Sequence, residues 1–231
     1  MKRGKRYERV RAKVPQNQEL PLMDACKLLV ETASAKFDES VEIAIALSVD
    51  PRKADQNVRG SVGLPHGLGK VVRVAVFAKG EKAQEALEAG ADFVGADDLV
   101  EKVRGGFIDF DSVIATPDMM VQVGKVGKIL GPKGLMPSPK VGTVTFEVGA
   151  MVKSIKGGRA EYRVEKAGIV HSAVGKASFG PQKIYENVMA LISDLNKAKP
   201  STSKGVYLKN GSLSLTMGPG ISFDLSPLRA G

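Results

Sequence analysis

Apolar residues recur along this chain with two periods, and each change of period marks a predicted element. Leu22, Ala25, Cys26, Leu29 and Ala33 fall three or four apart, the spacing of one helical face, with Pro21 at the tolerant first turn. Strict alternation follows, with Val41, Ile43, Ile45, Leu47 and Val49 on one side and Glu42, Ala44, Ala46 and Ser48 on the other. Successive strand side chains point to opposite faces, so this is a strand covered on one face only. Its uncovered face is small or polar, leaving room for something to lie across it.

Residues 61–70 are glycine-rich and break the pattern, and beyond them its character changes. Val71 to Phe77 is a nearly continuous apolar run, the mark of a strand covered on both faces. A helix over 81–89 stops at Gly90, a short strand lies at Phe93-Val94, and a helix covers 98–103. Val113–Ala115 is another strand, and Thr116-Pro117 caps the next helix. Repeated strand–helix units predict a small parallel α/β sheet. Residues 145–156 read as helix ending at Gly157-Gly158, with alternation over 159–174 and strands over 206–223. Between these, Ile184, Tyr185, Val188, Leu191, Ile192 and Leu195 form one apolar stripe, stopped before Pro200.

Two glycine-rich breaks thus bracket an α/β block. The economical architecture is α/β overall: an inserted Rossmann-like parallel-sheet domain over 68–158, within an outer α+β domain of split β-α-β character formed by 1–67 and 159–231. The paired crossings, at 66–70 and 156–159, read as a two-strand hinge.

Charge narrows the partners. Lys and Arg outnumber Asp and Glu by 34 to 25, for a formal charge of +9, which suits nucleic acid or an anionic membrane surface. Residues 1–14 hold seven Lys/Arg against one Glu, reading either as an anchoring arm on a polyanion or as a solvated terminus. No apolar run approaches the roughly 18 residues of a membrane span. The single cysteine, Cys26, cannot form an internal disulfide, fits a reducing cytosol, and reads as a buried small hydrophobe.

Catalytic signatures fail on inspection. Gly69-Lys70 resembles the end of a phosphate-binding loop, but Leu64 stands where that loop needs glycine, and Val71 where it needs Ser or Thr. Gly67-Leu68-Gly69 begins a dinucleotide fingerprint that Val72 ends. Two distant histidines, His66 and His171, and one cysteine offer no zinc spacing. No cofactor or metal is expected.

Two stretches suit a polyanion better. Residues 124–142 carry four lysines (Lys125, Lys128, Lys133, Lys140), five glycines, three prolines and no acid. Glycine permits close backbone approach and lysine supplies sequence-independent attraction, although a mobile solvated loop has the same composition. In the last strand Ser212, Ser214 and Thr216 alternate with Leu213, Leu215 and Met217, ahead of Gly218-Pro219-Gly220. A row of hydroxyls suits ribose 2′-OH groups and phosphates, but an ordinary solvent-facing strand looks the same.

Five of these stretches, Ala35–Glu42, Asp50–Gly60, Leu64–Gly67, Gly131–Pro137 and Thr216–Gly218, together resemble the bacterial large-subunit ribosomal protein L-one family. The similarity runs in order over essentially the whole chain. It implies two domains, no enzymatic activity, and binding of large-subunit rRNA at the mobile side stalk near the tRNA exit site. It also implies assistance to departing exit-site tRNA and repression of the protein's own messenger through an RNA that mimics the ribosomal site. Other ribosomal components become partners, membranes do not, and the protein is a cytoplasmic monomer outside the ribosome.

Matched residue by residue, the resemblance puts Lys36, Phe37, Ser40 and Glu42 on one RNA-contacting strip, and Thr216, Met217 and Gly218 on a second. Phe37 would be a platform for a base or ribose, Lys36 would meet phosphate, and Ser40 and Thr216 would bond 2′-OH groups. Glu42 repels phosphate and would serve as an acceptor that reports RNA; alternatively it pairs with a nearby lysine. Lys53, Lys166 and His171 are further candidates. The chain departs from the family's usual Arg-Asn-Asp-Lys at Arg163-Val164-Glu165-Lys166, and Leu215 replaces a threonine. The competing classes are a nucleotide-dependent α/β enzyme and a binder of anionic membranes.

Overall fold

A computed structural model describes residues 4–15 and 18–229. The helices are α1 (Lys5–Arg11), α2 (Leu22–Glu31), α3 (Glu81–Glu88), α4 (Asp97–Arg104), α5 (Met120–Lys125), α6 (Gly127–Leu130), α7 (Val148–Lys156) and α8 (Gly180–Lys197). The strands are β1 (Ser40–Leu47), β2 (Arg59–Gly63), β3 (Val74–Phe77), β4 (Phe93–Gly95) and β5 (Ser112–Ala115). They continue with β6 (Arg159–Arg163), β7 (Ile169–Lys176), β8 (Leu208–Leu215) and β9 (Ile221–Phe223). The chain divides into two compact units, one ending at Gly69 and resuming at Ala160, the other running Lys70–Arg159.

In the first unit β7, β1, β8 and β9 form an antiparallel sheet in that order. Val41, Ile43, Ile45 and Leu47 of β1 are buried, as are Leu213 and Leu215 of β8. They join Leu22, Ala25, Cys26 and Leu29 of α2 and Ile184, Val188, Leu191 and Ile192 of α8 in one core. Both helices pack on this one face, and apolar burial there, worth about 25 cal/mol per Å², fixes the strand register. Among the described residues no helix of this unit packs on the opposite face, where Glu42, His171 and Ser222 are exposed.

β2 and β6 make a separate two-stranded sheet. The sequence pattern hid β2, because its glycines read as a break from residue 61 onward. Gly60 is there because Tyr162 crosses it: a Cβ at that position would lie 2.5 Å from the Tyr162 hydroxyl. That hydroxyl in turn donates to Asp194 of α8 at 2.7 Å, tying the small sheet to the core helix.

The second unit is a parallel sheet in the order β4-β3-β5, covered on both faces. Ala75 and Phe77 of β3 pack with Leu99 and Val103 of α4, while Val74 and Val76 pack with Val148, Val152 and Ile155 of α7. β3 is shorter than its apolar run, since its neighbours pair only from Val74, leaving Val71 89% exposed. Ahead of it Asp111 accepts hydrogen bonds from Lys70 Nζ at 2.6 Å and from the Arg73 backbone at 3.2 Å.

Several boundaries differ from expectation for identifiable reasons. Ala33 lies beyond α2, which ends as the Thr32 hydroxyl donates to the Leu29 carbonyl at 2.7 Å. Thr116 does not cap with its side chain; its hydroxyl turns back to the Phe77 carbonyl at 3.5 Å, and a short 3-10 turn follows. Residues 145–147 precede α7 instead of starting it. Residues 124–142 are not one extended loop: they include the end of α5, all of α6 and a 3-10 turn, anchored by buried Val126, Leu130 and Val141.

Candidate nucleic-acid interface

The bare face of the four-stranded sheet is built from the polar register of its strands. Glu42 of β1 stands between Ala173 of β7 and Ser214 of β8, and Ala44 between His171 and Ser212. Ser212 pairs in turn with Ser222 of β9. Beyond Glu42, Ala44 and Ala46 keep the middle strand low, with an exposed imidazole on one side and hydroxyls on the other.

At the start of β1 the face ends in a bonded corner. The Ser40 backbone N–H donates to Thr216 Oγ1 at 3.0 Å, and the Thr216 N–H donates to the Ser40 carbonyl at 3.1 Å. Lys176 Nζ donates to Ser40 Oγ at 2.9 Å. Beneath them Glu39 is only 1% exposed. Its Oε1 accepts from the Ser34 and Ala35 N–H groups at 3.1 and 3.0 Å, and its Oε2 from the Met217 N–H at 2.9 Å. One buried carboxylate therefore joins the segment carrying Lys36 and Phe37 to the turn carrying Met217 and Gly218, about 180 residues apart (Glu39 to Met217 is 178). The N–H dipoles offset the cost of burying the charge.

Above this clamp the usual arrangement is inverted. Phe37 is 55% exposed and Met217 49% exposed, although both are large and apolar. Met217 continues the alternation of β8 only in sequence; the strand ends at Leu215, and the turn lifts Met217 out of the core. Arg6 of α1 reaches the same place, donating to Ser34 Oγ at 2.7 Å and to the Met217 carbonyl at 3.1 Å. Of the basic arm, Met1–Arg3 lie outside the described residues.

The candidates thus fall into separate groups. Lys36, Phe37, Ser40, Thr216, Met217 and Gly218 gather at one end of β1, while Glu42, His171, Ser212 and Ser214 line the face leading away from it. Lys53 and Lys166 lie at the other end, where the Leu47 N–H donates to the Gly168 carbonyl. Eight residues of strand separate the two ends, roughly 23–26 Å. Lys125, Lys128, Lys133 and Lys140 belong to the second unit, where all four are exposed.

Glu39, Lys176 and Arg6 were missed by sequence reasoning. Glu39 had a signal: two residues before Val41, it falls on the buried parity of β1, where a carboxylate needs partners. Asn187 had a similar one, a polar residue within the α8 stripe. It is fully buried, donates to the Gly67 and Val174 carbonyls at 3.0 and 2.8 Å, and accepts from the His66 N–H at 3.1 Å. The Gly67 carbonyl is thereby spent on docking this loop to α8.

Other chemistry is accounted for locally. Cys26 is fully buried and its thiol is pushed up to about 12 by burial, so it stays protonated at neutral pH. His66 bonds Glu186, and that bond holds the Glu186 carboxyl below its usual range. Among the described residues no group of three or more His, Cys, Asp or Glu is arranged to hold a metal ion, and no helix is long and apolar enough to cross a membrane.

A one-sided antiparallel sheet with a hydroxyl-bearing face and an exposed apolar and basic rim, joined to an α/β unit, fits a class of protein that receives a polyanion. The model of the Ribosomal protein L1p/L10e family matches residues 29–219, and the chain belongs to that family. It is a large-subunit, rRNA-binding ribosomal protein, from a structural family that is not a class of enzymes.

Proposed function

We propose that the first unit grips the side stalk of large-subunit rRNA near the tRNA exit site through the Phe37–Met217 corner. The observation that carries this reading is the clamp itself: two large apolar side chains are held in solvent by a buried carboxylate. Exposed apolar groups on a rigid mount suit an unstacked base or a ribose face. Lys36 and Lys176 lie beside them for phosphate, and Ser40, Thr216, Ser212 and Ser214 offer hydroxyls to 2′-OH groups. RNA leaving this corner would follow the face past Glu42 and His171 toward Lys53 and Lys166.

On this reading the same surface accepts a leader segment of the protein's own messenger, repressing translation, and the second unit's Lys125, Lys128, Lys133 and Lys140 make weaker phosphate contacts. The protein assists deacylated tRNA in leaving the exit site, acts in the cytoplasm, needs no cofactor, and is a monomer off the ribosome. The test is a binding titration with a stalk rRNA fragment across salt concentrations, competed by the messenger leader. Salt-dependent affinity and mutual competition are expected. Salt-insensitive binding, or two RNAs binding at once, would overturn the shared-site reading.

A further inference from the structure

A second feature adjoins the corner. A depression of about 530 Å³ lies between α1 and the turn after β8, lined by Gly4, Arg6, Tyr7, Thr216, Met217 and Gly218. Clefts of this size receive small ligands. One wall is the Met217 turn of the proposed RNA surface, and the other is helix α1, which lies outside the family match at residues 29–219. The helix is fixed to that turn, since Arg6 bonds both Ser34 Oγ and the Met217 carbonyl. Tyr7, half-buried, is the aromatic residue of the lining. Lys5, Arg9 and Arg11 are exposed on the same short helix, where the only acid is Glu8.

We infer that α1 and the Met217 turn form a pocket for one nucleotide of the bound RNA. The base enters against the Tyr7 ring, and Lys5, Arg9 and Arg11 meet the flanking phosphates. Arg6 is a positioning residue, because its guanidinium is already spent on holding the two walls together. Exposed cations on α1 draw in an anionic chain, continuity with the proposed RNA surface selects a phosphodiester, and an aromatic residue beside a methionine suits a base, whose π-face stacks whatever its identity. The inference rests on the Phe37–Met217 corner being the RNA contact.

The test uses the full chain and a stalk rRNA fragment. Tyr7→Ala is expected to raise the dissociation constant about tenfold, as for loss of one stacked base, while Tyr7→Phe keeps wild-type affinity. Arg9→Ser with Arg11→Ser should make the log affinity against log salt slope shallower by about 1.4–1.8. In the unmutated protein, RNA carrying 4-thiouridine should photocross-link to the peptide containing Tyr7. If Phe37→Ala weakens binding but Tyr7→Ala does not, or if cross-links avoid that peptide, the pocket is refuted and the corner stands. If neither substitution matters, the RNA corner fails, and the pocket with it.

Discussion

The two units place their polar and apolar groups in opposite ways. At the corner of the first, the carboxylate is inside and the apolar groups are outside: Glu39 is buried, while Phe37 and Met217 are exposed. In residues 124–142 of the second, Val126, Leu130 and Val141 are buried and four lysines face solvent. The second arrangement is what any soluble surface adopts, and hydrophobic burial accounts for it. The first works against burial and persists only because three backbone N–H groups converge on one carboxylate. Charge alone marks a surface that attracts polyanions; apolar exposure on a rigid mount marks one shaped for a particular partner.

Breaking the mount gives the largest expected effect. Glu39→Ala orphans three N–H donors and should destabilise the first unit by about 3 kcal/mol, at the upper end for lost charged hydrogen bonds. Glu39→Gln keeps one acceptor and presents an amide N–H to the other side, so it should fold, with a smaller loss of stability. RNA affinity should fall in this variant even where circular dichroism shows a folded protein. Faster amide exchange at Ser34, Ala35 and Met217 should accompany it. Unchanged affinity and exchange would mean that the corner holds its shape without the clamp.

Next come the groups the mount displays. Phe37→Ala and Met217→Ala should each weaken stalk RNA binding by roughly 1–3 kcal/mol, the range for a stacked or desolvated apolar contact. Because both side chains are half-exposed, stability should move by no more than about 0.5 kcal/mol. The contrast between calorimetric affinity and thermal unfolding is the measurement. A variant that loses stability but binds normally would make these residues packing elements.

The third effect is smaller and different in kind. Replacing Lys125, Lys128, Lys133 and Lys140 together with serine should lower affinity for long stalk fragments evenly, whatever their sequence. The salt slope should flatten by at most about 2.8–3.6, near 0.7–0.9 per lost phosphate contact. A change in preference between related RNAs would show that this segment reads shape and would erase the contrast between the two units.

Much of this was legible in the residues, and what escaped did so for physical reasons. The alternation of Val41, Ile43, Ile45 and Leu47 and the stripes of α2 and α8 follow from burial, which sequence periodicity reports directly. The corner depends on tertiary bonds between segments some 180 positions apart, such as Met217 N–H to Glu39. Periodicity carries no trace of such a bond. Phe37 and Met217 were picked out by resemblance, and only coordinates give the reason they stay exposed. β2 was hidden because Gly60 answers to the ring of Tyr162, a residue in another strand. The basic segment misled in the other direction: glycine, lysine and proline suggested a loop, while a few apolar residues at helical spacing decided its structure.

The smallest effect tests the second unit's own carboxylate anchor. Asp111 accepts from Lys70 and from Arg73, much as Glu39 accepts from its partners, but its side chain is about a quarter exposed (24%). The Lys70 hydrogen bond, with those from Arg73, holds its carboxyl below the usual range despite partial burial. The folded unit therefore binds this proton less readily than the unfolded chain. The resulting stabilisation is full above the ordinary carboxylate range and is lost as pH falls through the depressed folded value. Solvent screening keeps it small. Asp111→Asn should unfold slightly earlier than wild type near neutrality, and the two melting curves should converge on acidification. A gap that persists at low pH would assign the anchor to geometry instead of charge, and would make Asp111 a closer counterpart of Glu39 than its exposure implies.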